Sequence, residues 1–327
     1  MPSTDGFAGA RLRGAPAAYH GAVAPSPADP RTRPIAVYDS GVGGLTVLHE
    51  LLVQLPHEDF VYLADAARLP YGLRSQDELE RFALECAEEL LARRAKLLVV
   101  ACNTATSAAL PALRERMAQT TLGIDVLGVV QPGAVQAVAA TTNGRVGLMA
   151  TPATVTSGAY AEAIVSADPF VELTSVACPD LATIIEGGFP FDERVVETVR
   201  EYVAPLREAG VDTVILGCTH YPLIAPMLQR MLGRGVRIVT SGTPVAHQVE
   251  HVLGARGLAN PRGAVPADPD AFPEPSRSSD AARWAEGDYR FLTTGDVEAF
   301  RALGSTFLQL PLGEVEHVAL RAAEAAA

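Results

Sequence analysis

Leu97-Leu98-Val99-Val100-Ala101-Cys102-Asn103-Thr104 and Thr213-Val214-Ile215-Leu216-Gly217-Cys218-Thr219-His220 follow one pattern. Each is an apolar run of strand length, then a small residue, a cysteine, and hydroxyl, amide or imidazole side chains. Such runs read as buried strands of a parallel sheet, and a helical segment is expected after each. The carboxyl end of a parallel strand, just before a helix, is where α/β proteins place ligands and chemistry. A helix N-terminus there favours the thiolate. Two such thiols, one in each half of the chain, predict a site with one base on each side of a substrate. Two buried structural cysteines are the alternative, but that does not account for Cys-Asn-Thr and Cys-Thr-His recurring at equivalent places.

Outward from these stretches, strands and helices alternate. Strands are expected at Ile35–Tyr38, Phe60–Leu63, Val126–Val130, Arg145–Met149, Val171–Val176, Arg237–Thr240 and Tyr289–Leu292. Ser75-Gln76-Asp77-Glu78 fits a capping box, and the helix after it sets Leu79, Phe82, Ala83, Cys86 and Leu90 on one face. Cys86 therefore reads as core. The alternation predicts an α/β protein with mainly parallel sheets. Residues 1–33, rich in Ala, Pro and Gly, are expected to be a disordered tail, and residues 258–288, dense in Pro, Ala, Ser and Asp, a long surface loop.

Composition bounds the function. The chain has 327 residues, 48% of them hydrophobic, and a net charge of −12. That suits one large or two medium globular domains and argues against a general nucleic-acid or membrane-surface binder. No apolar run is long enough to span a bilayer. The four cysteines (86, 102, 178 and 218) lack zinc-type Cys-x-x-Cys spacing. Thiols used as bases need a reducing compartment, so a cytoplasmic protein is expected.

Three further constellations follow strands. Asp39-Ser40-Gly41-Val42-Gly43-Gly44 can make a tight turn with exposed N–H groups that cradles an anion, although its spacing is not the dinucleotide fingerprint. Asp65-Ala66-Ala67-Arg68-Leu69-Pro70-Tyr71-Gly72 is either a rigid loop presenting Tyr71 and backbone donors or a structural loop with an Asp65–Arg68 ion pair. Thr151-Pro152-Ala153-Thr154 places hydroxyls at a helix start, where capping is the simplest role. His247-Gln248-Val249-Glu250-His251 matches a zinc-peptidase pattern, but no third ligand accompanies it, and no metal is expected.

Taken together, Asp39-Ser-Gly-Val-Gly-Gly-Leu-Thr-Val-Leu, Asp65-Ala-Ala-Arg-Leu-Pro-Tyr-Gly, Ala101-Cys-Asn-Thr-Ala-Thr, Thr151-Pro-Ala-Thr and Gly217-Cys-Thr-His-Tyr-Pro-Leu closely resemble the glutamate racemases of the aspartate/glutamate racemase superfamily. The resemblance runs from about Pro34 to Leu320, outside the Pro-rich loop. It implies two similar α/β domains facing each other across the active site. Residues 34–127 with 239–320 would form the first and 128–238 the second. It implies interconversion of L- and D-glutamate without a cofactor, supplying D-glutamate for peptidoglycan, by a homodimer. Cys102 would take the proton from D-glutamate and Cys218 from L-glutamate, with Asp39 supporting Cys102 and His220 supporting Cys218. The substrate would meet Ser40, Pro70, Tyr71, Gly72, Asn103, Thr104, Thr151, Thr154 and Thr219. Glu186 aligns more loosely with an acidic residue near the second cysteine.

The chemistry agrees with that implication. Inverting an α-carbon needs a base on one face and an acid on the other. A pyridoxal cofactor would need a Schiff-base lysine, and Lys96, the only lysine, precedes the strand leading to Cys102, at the end away from the site. Ala66, Gln131 and Thr240 depart from the family's usual Thr, Glu and Asp, none of them a catalytic position. Aspartate racemase is the nearest alternative; there a Glu commonly replaces the His after the second Cys-Thr, so His220 favours glutamate. Intact Asp39, Cys102, Cys218 and His220 argue against a non-catalytic amino-acid binder, and thiols that both touch a substrate must stay apart, whereas a redox disulfide needs Cα atoms within about 7 Å.

Overall fold

The computed structural model describes residues 29–119, 123–188, 193–263 and 287–320, and the apolar runs in them are strands. These are β1 (Ile35–Asp39), β2 (Phe60–Ala64), β3 (Leu97–Val100), β4 (Asp125–Gly128), β5 (Arg145–Ala150), β6 (Glu172–Ala177), β7 (Thr213–Gly217), β8 (Arg237–Val239), β9 (Tyr289–Thr293) and β10 (Val315–His317). They pair, all in parallel, into a six-stranded sheet of order β10-β9-β2-β1-β3-β4 and a four-stranded sheet of order β6-β5-β7-β8.

The strand orders place the site. In the first sheet the chain steps from β1 to β2 on one side, then to β3 on the other, so the carboxyl ends of β1 and β3 flank a topological switch point. The second sheet does the same with β5 between β6 and β7. Such crevices are the default ligand sites of open α/β sheets. Asp39 ends β1 and Cys102 follows β3; Thr151 follows β5 and Cys218 follows β7.

Helices cover both faces. They are α1 (Leu45–Gln54), α2 (Gln76–Ala92), α3 (Asn103–Ala118), α4 (Val130–Ala140), α5 (Pro152–Thr156), α6 (Ala159–Ala167), α7 (Leu181–Glu186), α8 (Glu193–Glu208), α9 (Ala225–Leu232), α10 (Gly242–Arg256) and α11 (Val297–Leu308). Alternate strand residues go to opposite layers: Ile35 and Val37 pack in one core cluster, Ala36 and Tyr38 in another. Leu79, Phe82, Ala83, Cys86 and Leu90 of α2 lie in the second of these, and the capping box of Ser75 and Glu78 starts that helix.

Several expectations need correction. Residues 1–28 of the expected tail lie outside the described residues, but Asp29–Arg33 belongs to the fold. Asp29 caps a 3-10 turn at Pro30–Thr32, and Lys96 Nζ donates to Arg31 O at 2.6 Å. The same ammonium, buried at the amino end of β3, pairs with Glu58 Oε2 at 2.5 Å and donates to Leu258 O at 2.9 Å. The proposed long loop is described only at 258–263 and 287–288; 264–286 lie outside. The strand expected at Val126–Val130 ends at Gly128, because Val130 opens α4, and β10 was not anticipated.

Candidate active site

Asp39 is fully buried at the tip of β1. Its Oδ2 accepts from Gly41 N at 3.0 Å, while Oδ1 has no protein partner among the described residues. The loop from Ser40 to Gly44 then turns into α1. Glycine is needed for close approach here: a Cβ on Gly43 would fall 2.3 Å from Thr219 Oγ1 and 2.5 Å from the His220 ring, and one on Gly44 2.5 Å from Asp39 Cβ. Thr46 Oγ1 of α1 donates across the gap to Thr219 O at 2.9 Å. The turn expected to cradle an anion is therefore packed against the second cysteine's segment.

Cys102 is the N-cap of α3. Its Sγ accepts from Ala105 N at 3.4 Å and donates to Ser40 Oγ at 3.6 Å. The helix start was expected to favour the thiolate. The opposite outweighs it: burial first, and the Asp39 carboxylate second, push the thiol up to about 12. Asp39 is itself raised by burial, against the lowering pull of His220.

Cys218 has different surroundings from those expected. A 3-10 turn at Tyr221–Ile224, with Pro222 near its start, intervenes before α9. The turn sets the start of α9 at Ala225, so Cys218 does not cap a helix as Cys102 caps α3. Its partner is His220, whose Nδ1 lies 3.6 Å from Sγ. The other ring nitrogen, Nε2, lies 2.7 Å from Glu186 Oε1 at the end of α7, and Phe307 of α11 meets the ring edge-on at 5.3 Å. Burial would lower the imidazole, but its bonds to Cys218 and Glu186, and their charges, raise it to about 10. Charge on Cys218 contributes to the rise at Cys102, so both thiols lie within one electrostatic environment.

Around the thiols, segments from both sheets meet. Thr104 Oγ1 of α3 lies 2.9 Å from Thr151 Oγ1 and 3.1 Å from Thr154 Oγ1, with 3.0 Å between the latter two. Thr151 also caps α5, accepting from Thr154 N at 3.4 Å. Asn103 Oδ1 accepts from Tyr160 Oη at 2.6 Å and Ser241 Oγ at 3.2 Å. Gly72 backs onto Thr151: a Cβ there would lie 3.0 Å from Thr151 Cβ. Pro70, after a cis peptide bond, precedes Gly72 in the same loop. Tyr71 lies between them in the chain. Its ring is buried, with the hydroxyl on Asp65 Oδ2 and 2.9 Å from Tyr38 Oη. Asp65 also holds Arg68 Nε at 2.6 Å, so the ion pair weighed as the structural explanation of this loop is present.

The structure therefore gathers Asp39, Ser40, Gly72, Cys102, Asn103, Thr104, Thr151, Thr154, Cys218, Thr219 and His220, shows no contact of Pro70 with them, and turns the Tyr71 side chain away. Tyr160, Ser241 and Phe307 escaped the sequence reading. Buried Cys86 has its Sγ near Arg68 Nη2 (3.6 Å); buried Cys178 donates to Val176 O (3.7 Å), shares a core cluster with Cys218, and is raised by burial first and by the charge of Cys218 second; all four cysteines are free. His247 and His251 are exposed on α10, and His247 Nδ1 lies 3.9 Å from Glu250 Oε2. Among the described residues no group of three or more His, Cys, Asp or Glu side chains is placed to hold a metal ion, and no helix is long and apolar enough to cross a membrane.

The chain is similar to known proteins over most of its length. A glutamate racemase of Acidothermus cellulolyticus is 41% identical over 285 residues, covering 87% of this chain and 98% of that protein. The crystal structure of glutamate racemase isoform RacE1 from Bacillus anthracis superposes with a TM-score of 0.77 at 36% identity, covering 89% of this chain and 98% of that one. The Francisella tularensis glutamate racemase, crystallised with D-glutamate, gives a TM-score of 0.75 at 31% identity, covering 88% and 98%. The family model for Asp/Glu/Hydantoin racemase matches residues 45–249. With both cysteine segments inside that match, the chain belongs to the Asp/Glu/Hydantoin racemase family.

Proposed function

We propose that the chain interconverts L- and D-glutamate by proton transfer between two thiols. The observation that carries this reading is the pair of buried cysteines at the switch points of two parallel sheets, each with a different partner: Cys102 with Asp39 and Ser40, Cys218 with His220 and Glu186. The similar Francisella enzyme was crystallised with D-glutamate, which supports the choice of substrate.

With L-glutamate, Cys218 as thiolate takes the α-proton as its own S–H. The electron pair of the broken C–H bond moves toward the α-carboxylate, and Cys102 gives its proton to the opposite face of the carbon. D-Glutamate runs the same steps backwards. Cys102, raised to about 12, carries its proton at neutral pH and so starts as the acid. His220, held beside Cys218, supplies a positive charge where thiolate must form. The substrate's carboxylates and ammonium meet Ser40, the Pro70–Gly72 backbone, Asn103, Thr104, Thr151, Thr154 and Thr219. No step needs a metal or a Schiff base, and Lys96 is tied to Glu58 at the other end of β3.

We read residues 34–127 with 239–320 as one lobe and 128–238 as the other, closing on the amino acid between them. Thiols that must stay reduced suit a cytoplasmic enzyme. A homodimer and a role in supplying D-glutamate for peptidoglycan complete the reading. The deciding experiment follows loss of optical rotation from L- and D-glutamate by the purified protein, with chelator present and no cofactor added. Aspartate is run in parallel. Racemisation of aspartate but not glutamate overturns the assignment, and gel filtration at the monomer's size removes the dimer.

A further inference from the structure

Asn103 opens α3 directly after Cys102 and is 2% exposed. An amide side chain has an acceptor end and a donor end. The acceptor end is held twice, by the hydroxyls of Tyr160 at 2.6 Å and Ser241 at 3.2 Å. The donor end, Nδ2, is buried and has no protein partner among the described residues. A buried N–H pair left unpaired is destabilising, so this group has a use for an acceptor that arrives with a bound molecule.

The two hydroxyls come from separate parts of the chain. Tyr160 lies on α6, whose strand neighbours belong to the second sheet, and Ser241 stands at the start of α10, which leads back to the first. Tyr160 is 1% exposed and its phenol is raised by burial, and further by charge on Cys218, so it stays a donor and lies near the second thiol. Asn103 Oδ1 is thus a junction of three segments between the two cysteines.

We propose that Tyr160 and Ser241 are positioning residues of the racemase site: by holding Asn103 Oδ1 they present Nδ2 as a donor to a carboxylate of the substrate. This rests on the reading that Asn103 touches the substrate. It adds what fixes the amide's orientation, and it ties that orientation to the approach of α6 and α10.

The test measures kcat and KM for both enantiomers in Asn103→Ala, Asn103→Asp, Tyr160→Phe, Ser241→Ala and the double variant Tyr160→Phe/Asn103→Ala, with thermal unfolding of each. An equilibrium constant of one requires equal kcat/KM for the two enantiomers, which checks every data set. Asn103→Ala is expected to lower kcat/KM about 100-fold, the loss of a hydrogen bond to a charged group. Tyr160→Phe should lower it about 10-fold, mostly through KM, and Ser241→Ala about 3-fold. In the Asn103→Ala background Tyr160→Phe should change kcat/KM less than about 2-fold, because there is no amide left to orient. Asn103→Asp should fall below Asn103→Ala, since a carboxylate repels the substrate's. Full additivity in the double variant, or Asp at or above Ala, overturns the proposal while leaving Asn103 in the site. A near-normal Asn103→Ala overturns both the proposal and the placement of Asn103 against substrate.

Discussion

Replacing Glu186 by Gln tests whether His220 works as a held cation. The imidazole is pulled down by burial, yet its bonds to Cys218 and Glu186 raise it to about 10. Glu186 Oε1 lies 2.7 Å from Nε2, and its side chain is 28% exposed against 6% for His220. A hydrogen bond to a charged group contributes about 1.5–3 kcal/mol. Partial exposure of Glu186 argues for the lower end, and about 1.4 kcal/mol corresponds to roughly one pH unit. The sign is definite. Protonated His220 is complete at neutral pH and lost as pH rises through about 10, so kcat/KM should show a basic limb there. Gln keeps an acceptor but removes the charge, and the limb should fall by about one unit. The assay records kcat/KM for both enantiomers by circular dichroism from about pH 6 to about pH 11, the range that spans the ordinary and the raised imidazole. Cys102, raised to about 12, lies above this window and should not move with Glu186. Linkage gives a second readout of the same sign. His220's contribution to stability is complete below its ordinary 6.5 and disappears across 6.5 to about 10, and the variant should flatten that decline. A basic limb that stays in place, or moves up, refutes the held-cation argument.

Four further outcomes are expected. Cys102→Ala and Cys218→Ala should each lower racemisation by at least about 10²-fold, and in deuterated water early label should appear in the inverted product; label with retention of configuration points to one base. With iodoacetamide followed by peptide mass spectrometry, Cys218, with the His220 ring 3.6 Å from its sulfur, should label before Cys86, Cys102 and Cys178, and glutamate should protect it; four equal rates contradict the site. Gly43→Ala should lower stability by about 1–3 kcal/mol as well as activity, because the new methyl meets Thr219 and His220; an unchanged Tm shows the loop is looser than drawn. EDTA should leave racemisation intact, whereas loss restored by zinc would bring His247 and His251 back into consideration.

The parallel strands were legible because they are buried on both faces and therefore read as continuous apolar runs, as Leu97–Val100 and Thr213–Gly217 do. Their carboxyl ends then carried the cysteines into view. Short edge strands carry no such signal: β10 has three residues, two of them exposed. Side-chain direction in a loop was also hidden, so Tyr71 was placed against substrate although its hydroxyl goes to Asp65. Partners far apart in sequence left no local trace, as with Tyr160 and Ser241, 57 and 138 residues from Asn103. Glu186 aligned only loosely for the same reason, lying 34 residues before His220 on a six-residue helix. For the thiol of Cys102, the helix N-terminus that favours thiolate is readable from sequence, whereas the depth of burial that outweighs it is not.

A two-base racemase must hold two chemically identical side chains in opposite protonation states, and unlike neighbours are a way to do it. Beside Cys102 stands a buried carboxyl, whose negative charge opposes thiolate. Beside Cys218 stands an imidazole kept cationic with the help of Glu186. In the proposed mechanism Cys102 starts as acid and Cys218 as base when L-glutamate is the substrate, and the roles exchange for D-glutamate. One passage reverses the two states and leaves a thiolate facing Asp39. Burial has raised the Asp39 carboxyl as well, so it holds a proton more readily than an ordinary carboxylate and eases that like-charge encounter. The asymmetry cannot favour one enantiomer at equilibrium, because the two have equal free energy. It must divide instead between kcat and KM, with kcat/KM the same in both directions and the individual constants free to differ as the neighbours of the two thiols differ.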